Sequence, residues 1–510
     1  MTRVSIDQNC TPLWDVLPKL AALRARGLSA VHYVEDVDVA FTQQRAAPGT
    51  PPHVEPERAY PGGNSDWGAT AFYSDFMGRN PVNPRTLEPF LRASIATFAK
   101  RAGFASLDEL YETRASSDNR QIIAPSHSGD NRHRTLGDLS LREMRGPLLD
   151  LLEHARADTR RAFPLRECAA RTNAFFTSEQ RFIETFHESE PDAALADFYA
   201  AWVLRHAPGQ EVGRCSALFE NDPHELLQTF VCDYGTLAAL YNQAIAETRP
   251  GIAPLNLEKG ELPFFALWRA NGKNYRTPVL WQGGGLATDG LVFPVSNGRL
   301  PLDEMRARGI AALPPKALLL VLHARMNGRA LALPWQGSLY MPAARRLEEL
   351  LKLPLGPVLR ARFHFFDRMG TLGTPVQPPA WLAPFTGADA LPACDFVARL
   401  RAAQHDARAE LETAQTPRYD PAPELSREIE ALQLARARFK TTAENAALWQ
   451  RQKQLQQRHA RALLDRVLAL THLLGLDYWD SRGAILPHAL ALGCEAFYRR
   501  VLGEAEIFEE

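Results

Sequence analysis

Apolar and polar positions divide this chain into blocks of different period. At the start, "TRVSI" is strand-like and "DQNCTPLW" is a polar loop. Asp15 to Arg26 forms an amphipathic helix that Gly27 can stop, and "SAVHYVEDVDV" opens as a buried strand. A connection this short between two strands predicts a parallel pair with its helix on one face, the unit of a doubly wound sheet. The loop after the first strand and the acids closing the second then share the carboxyl edge, where open α/β sheets bind ligands.

From Gln43 to about Pro84 the pattern is irregular, rich in proline, glycine and asparagine, with aromatic residues that argue for a packed loop. Helical periods follow over Leu87–Ala102, Leu107–Arg114, Ser140–Ala162 and Ser178–His206, the last broken near Pro191, with a cationic loop at Ser126–Arg134. Phe230, Tyr234, Leu237 and Tyr241 step by four and three and predict one buried helix face. Next come three strand-like runs separated by "ANGKN" and "GGGLATDG". Their Asn-Gly, Gly-Gly and Asp-Gly pairs predict a β-meander, because glycine accepts positive φ at little cost.

After the meander, "ALLLVLHARM" is a buried run, "PWQGSLYMP" a loop, "AARRLEELLKL" an amphipathic helix and "GPVLRARFHFF" a strand, a second α/β segment that completes the sheet. Two charged helices with narrow apolar seams follow, one through Phe396, Leu400, Ala403, Ala407 and Leu411, the other through Leu425, Ile429, Leu432, Ala435 and Phe439. With "TPRYDPAP" between them they read as an antiparallel coiled-coil hairpin, the second helix continuing toward Leu474. The expected organisation is the first part of the core over 1–135, a helical segment over 136–250, meander and second α/β part over 251–388, and coiled coil with terminal helices over 389–510.

Composition narrows the function classes. The 510 residues are 45% hydrophobic and 23% charged, ordinary for a globular chain with a large core. A formal net charge of -1 supplies no field to draw in nucleic acid or an anionic membrane. The six cysteines include no C-x-x-C pair, the N-terminus does not read as a secretory signal, and no apolar run approaches the roughly 20 residues that span a bilayer. A cytoplasmic protein acting on a small molecule is the expectation.

Familiar catalytic signatures are missing. His224-Glu225 begins as a zinc motif, but Gln228 stands where the second histidine would be, and no G-x-S-x-G is present. The triglycine is followed by the strand "LVFPV" and no helix, so it reads as a turn and not as a phosphate loop. His127 and His133 are the one close histidine pair, in a loop where Arg132, His133 and Arg134 can meet an anion or simply face solvent. Cys10 has no base in view and reads as an ordinary thiol. Glu35, Asp36 and Asp38 can hold Mg²⁺, bind a ribose or amine, or act as bases; the alternative is a cap with solvated neighbours. In "WQGSLY", backbone amides and the Ser338 hydroxyl can receive an anionic ligand where the next helix starts; the alternative is a structural loop.

The loop "IDQNCTP", the strand end "VEDVD" and the later succession "LPPKALLLVLHARM", "QGSLYMP" and "AARRLEELLKL" resemble, distantly, the cysteine ligase family of bacillithiol biosynthesis and related uncharacterised bacterial proteins. That family carries a glycine-glutamine-glutamine loop after its first strand; here Gln8 stands at one glutamine position and the glycine is missing. Its next strand ends in an E-D-H-D-like cluster, matched by Glu35, Asp36 and Asp38 with Val37 replacing the histidine. Gly337 and Tyr340 match its glycine-rich loop, and a coiled coil follows in both.

The resemblance implies an α/β fold with a Rossmann-like core, insertions, and a C-terminal antiparallel helical coiled coil. It also implies a ligase-like enzyme joining an amino acid, cysteine in the family, to an amine-bearing acceptor. Asp36 and Asp38 are then the catalytic candidates, and Gln8, Asn9, Glu35, Gly337, Ser338 and Tyr340 contact substrate or a cofactor, a nucleotide with Mg²⁺ being the expected one. No residues are assigned to a resident metal, and a homodimer through the coiled coil is the expected assembly. The competing class is a non-catalytic interaction protein that docks through the coiled coil; a hydrolase of nucleotides or peptides has only the acidic cluster in its favour.

Overall fold

The computed structural model describes residues 2–7, 13, 16–37, 50–59, 73, 75–114, 117–124, 132–220, 225–249, 252–270, 272–296, 298–338, 340–438, 442–482 and 485–510. A six-stranded sheet forms its centre. The strands are β1 (Arg3–Asp7), β2 (Val31–Val34), β3 (Val212–Arg214), β4 (Ala330–Pro334), β5 (Val358–Arg362) and β6 (Glu506–Glu509), in the spatial order β3-β2-β1-β4-β5-β6. The first five run parallel, with Ser5 opposite His32 and Ala332, and β6 closes the sheet antiparallel. The order reverses between β1 and β4, so the crossovers leaving those two strands diverge at that point.

Local chemistry explains the first unit. Helix α1 (Leu17–Ala25) has Pro18 in its first turn, where the missing N–H costs nothing. It ends with Gly27 at φ +69°, while Gly27 N bonds Arg24 O and Leu28 N bonds Leu23 O. This paired closure is the glycine-dependent helix stop expected at that position. Alternation along the strands then separates two faces. Val4, Ile6, Leu331 and Leu333 face one core, shared with α3 (Ala317–Arg325), α4 (Met341–Leu351) and the second sheet. On the other face Leu17, Leu20 and Val34 meet the helical segment, in which α2 (Leu141–Ala162) begins with a Ser140–Glu143 capping box.

The meander has four strands where three were expected: Glu261–Ala270, Lys273–Gln282, Gly285–Thr288 and Leu291–Pro294. "GGGLATDG" is not one bend. Gly283 and Gly284 (φ +58° and +78°) turn the chain, Gly285–Thr288 is a strand, and Asp289 and Gly290 (φ +47° and +79°) turn it again. Two-residue turns with both φ positive match the twist of a hairpin, so the triglycine has no helix behind it. Similarly, the aromatic helix face is carried by two helices, Glu225–Cys232 and Tyr234–Thr248, separated by Asp233, whose side chain caps the second. Phe230 and Tyr241 are buried as the spacing predicts.

The C-terminal helices pair differently from the expectation. They are α5 (Ala393–Ala414), α6 (Pro423–Arg438), α7 (Thr442–Arg482) and α8 (Leu486–Gly503). The second seam does not run straight on to Leu474: Phe439 lies outside the described residues, and Arg436 of α6 reaches back to Gln452 of α7 at 2.6 Å, so the two helices lie side by side. Both α5 and α6 are tied to α7. Gln404 Nε2 donates to Leu473 O at 3.2 Å and Arg408 pairs with Asp477 at 2.6 Å, whereas Arg451 of α7 pairs with Glu428 of α6 at 2.7 Å. The long helix therefore packs against both shorter ones.

Candidate functional site

Parallel strands place their carboxyl ends on one edge. Here that edge collects Glu35, Asp36 and Val37 after β2, Ser216 after β3, Trp335 to Ser338 after β4, and His364 after β5. Gln8, Asn9, Cys10 and Asp38 fall outside the described residues, as does the side chain of Asp7. The structure thus brings Glu35, Asp36, Gly337, Ser338 and Tyr340 to the same edge of the sheet, on strands to either side of β1.

Asp36 is built into the fold. Its Oδ1 accepts from Ser216 N at 2.8 Å and its Oδ2 from the Ser216 hydroxyl at 2.6 Å. The Ser216 oxygen accepts from Arg269 Nη2 at 2.9 Å, and Arg269 Nη1 pairs with Glu220 at 2.7 Å. Burial raises the Asp36 carboxyl above the usual carboxylate range, and the two Ser216 bonds, Arg214 and Arg269 work against that rise. Both oxygens are occupied by donors that start the short helix Cys215–Glu220. Asp36 therefore locks the end of β2 to the end of β3, and the carboxylate that sequence alone presents as a base holds the edge in shape. Glu35 beside it is buried as well.

The loop after β4 is strained. Gln336 and Ser338 sit at φ +56° and +60°, a region costing a non-glycine residue about 1 kcal/mol or more. Between them Gly337 leaves no space for a side chain, since a Cβ there would lie 2.7 Å from Pro334 Cγ. The Gly337 carbonyl accepts from the buried Arg360 guanidinium, which also reaches Glu510 at 3.2 Å. The Ser338 hydroxyl oxygen is enclosed and has no hydrogen-bond partner among the described residues. Met341 N bonds Ser338 O at 3.2 Å, so the strained turn leads directly into α4, and Trp335 lies under the Arg362 guanidinium at 4.9 Å.

Sequence reading missed the polar groups under the edge. Lys19 of α1 is buried, with Nζ 3.5 Å from Ile6 O. His32 is fully enclosed on β2 and its Nδ1 is 3.1 Å from the Ser5 hydroxyl of β1. Burial, and then the Lys19 ammonium, push the His32 pKa down to about 3, so the imidazole is neutral. One signal was available: Val16, Lys19 and Leu23 step by three and four, which puts the lysine on the buried helix face.

The second sheet leans over the same edge. Arg276 Nη1 donates to Val37 O at 3.2 Å, and the Lys316 ammonium pairs with Glu261 at 2.7 Å. Tyr241, raised by burial and then by Glu261 and Tyr340, receives a hydrogen bond from the Leu318 backbone at the start of α3. The Arg276–Val37 and Arg269–Ser216 bonds set the second sheet directly against the carboxyl edge. Among the described residues no three His, Cys, Asp or Glu side chains converge as metal ligands, and no helix is long and apolar enough to cross a membrane. Compared with protein-family models and with curated proteins, the chain has no match.

Proposed function

We propose that this chain is a ligase-like enzyme that joins an amino acid to an amine-bearing acceptor, working in the cytoplasm on a Rossmann-like core. The observation that carries the reading is the reversal of strand order between β1 and β4, flanked by Glu35 and Asp36 on one side and the strained Gln336–Ser338 turn on the other. Open parallel sheets take ligands at such a switch point. The bacillithiol-type ligase resemblance at Gln8, Glu35, Asp36, Asp38, Gly337 and Tyr340 supports the choice of reaction.

Forming an amide requires a neutral amine and an activated carboxyl group. Gln8 and Asn9 serve as contacts from the β1 loop, and Asp38 is the acid assigned to amine or Mg²⁺ contact or to base work. Asp36 keeps the end of β2 in place through Ser216, while Ser338 and Tyr340 receive the second ligand. A nucleotide with Mg²⁺ is the proposed cofactor. Melting temperature of the full chain, measured against nucleotides and amino acids with and without Mg²⁺, tests the reading. A ligand at a hundredfold excess over its Kd adds about 2.7 kcal/mol of stability. A shift lost in both Asp38→Ala and Asp36→Asn supports the assignment; a shift unchanged in both removes it.

A second reading, docking through the C-terminal helices, including pairing of two copies, rests on Leu434 and Trp449. These large apolar side chains are 66% and 44% exposed on α6 and α7. Solution mass of the full chain and of Leu434→Ser tests it: an unchanged monomeric mass in both counts against docking between copies.

A further inference from the structure

Two arginines stand two residues apart on one face of β5, and their surroundings differ. Arg360 is buried; it reaches Glu510 at 3.2 Å and donates to Pro334 O at 3.3 Å and to Gly337 O. Arg362, at the carboxyl end of the strand, has no carboxylate and no hydrogen-bond acceptor among the described residues. Glu506 is its cross-strand partner on β6, yet that carboxylate lies 3.3 Å from His364 Nε2 instead.

Arg362 is half-buried and held in place by rings. Its guanidinium carbon lies 4.9 Å from the centroid of Trp335, which packs in turn on Phe508 with centroids 5.4 Å apart. Trp335 is tied to β5 by its own amide, which donates to Ala361 O at 2.7 Å. The arginine Nε is enclosed without a partner, while the two Nη atoms make no bond within the described chain and are open to solvent. The stack therefore fixes the fork and leaves its outer edge for an acceptor arriving from solution.

The adjoining turn lacks partners as well. The Ser338 hydroxyl oxygen is enclosed and unbonded, and α4, eleven residues long, begins with no side chain capping its first turn. Enclosed polar groups without partners are rare in folded chains, because each has given up its hydration for nothing. These features meet at the carboxyl ends of two adjacent strands, β4 and β5, and one kind of group suits them all: an acceptor with negative charge, which the positive end of the α4 dipole also attracts.

We propose that Arg362, held on Trp335, binds an anionic oxygen group of the ligand, a carboxylate or a phosphate, beside the Ser338 turn. The assignment rests on the carboxyl-edge reading, in which Ser338 and Tyr340 meet the second ligand, and it gives that ligand an anionic end. Its test needs no turnover.

Calorimetric titration of the full chain with inorganic phosphate and, separately, with malonate decides it, using the wild type, Arg362→Met, Arg362→Lys and Arg499→Met. Methionine keeps an unbranched stem on Trp335 without the charge, lysine keeps the charge without the fork, and Arg499, paired with Glu495 on α8, is the exposed control. The expected result is that at least one anion binds the wild type and Arg499→Met alike, Arg362→Met binds it about tenfold more weakly or worse, and Arg362→Lys falls between. Phosphate binding alone identifies a phosphoryl group, malonate binding alone a carboxylate, and binding of both an oxyanion contact common to the two. If Arg362→Met fails to fold by circular dichroism, Arg362→Lys carries the comparison, with a loss of about threefold expected. Absence of binding by either anion to the wild type, equal binding by wild type and Arg362→Met, or an equal loss in Arg499→Met overturns the site. Anion binding that depends on Arg362 while amino acids and nucleotides give no melting shift removes the ligase reading and leaves this site; melting shifts without such anion binding do the reverse.

Discussion

The carboxyl edge of the parallel sheet and the distal pair α6 and α7 place charged residues in opposite settings. At the edge Lys19, His32, Glu35 and Asp36 are buried, and Asp36 is bonded at both oxygens to Ser216, 180 positions away. In the distal pair no residue of α6 is buried, the Arg451–Glu428 pair is largely exposed, and it is Leu434 and Trp449 that face solvent. Exposed ion pairs contribute about 1 kcal/mol or less, whereas a buried polar group is expensive unless its partners are in place. The difference teaches where rigidity lies: the edge is held in one geometry by obligatory partners, and the distal pair by many small, replaceable contacts.

That comparison can be broken first with acid. His32 is fully buried with a pKa of about 3, against an ordinary histidine value of 6.5. The unfolded chain binds a proton in that window and the folded chain does not, so the contribution is full above pH 6.5 and is lost as pH falls toward 3. The expected loss from this residue is about 4 kcal/mol. Urea unfolding followed across pH should show a steep acid limb that flattens in His32→Gln; identical limbs would place the acid sensitivity elsewhere.

Removing Asp36 is the next largest test. Asp36→Ala deprives Ser216 N and Oγ of a charged acceptor and should cost about 2–3 kcal/mol, with Asp36→Asn milder. A melting temperature unchanged in Asp36→Ala would show that the edge is not locked through this carboxylate. Gly337→Ala sharpens the comparison on the other side of the switch point. Its Cβ meets Pro334 at 2.7 Å, so about 1–2 kcal/mol of overpacking is expected, together with loss of any ligand-induced stabilisation. Smallest of all, Leu434→Ser and Glu428→Gln in the distal pair should stay within about 0.5 kcal/mol. A loss above 2 kcal/mol from either would mean that α6 is held by more than the contacts described.

Local pattern carried the beginning of the fold well. The strand, helix and strand of the first unit, the stop at Gly27, the Ser140 cap region and the glycine turns of the meander all depend on neighbours a few residues apart, and short-range sterics determine them. The sheet edge at Glu35 and Asp36 followed from the same unit, because a short crossover between parallel strands allows one arrangement. The pairing of the C-terminal helices did not follow: the seam of α5 is buried, no residue of α6 is, and a seam specifies a face and leaves the partner open. The chemistry of the site was the least legible part. Nothing adjacent to Asp36 announces Ser216 or Arg269, and nothing near "LPPKALLL" announces Glu261. These side chains meet because β3 and β4 enter the sheet beside β2 and β1 after long excursions, and because the meander folds back over the edge. Periodicity reports which face of an element is buried; which distant charge stands opposite is decided when the whole chain closes its core.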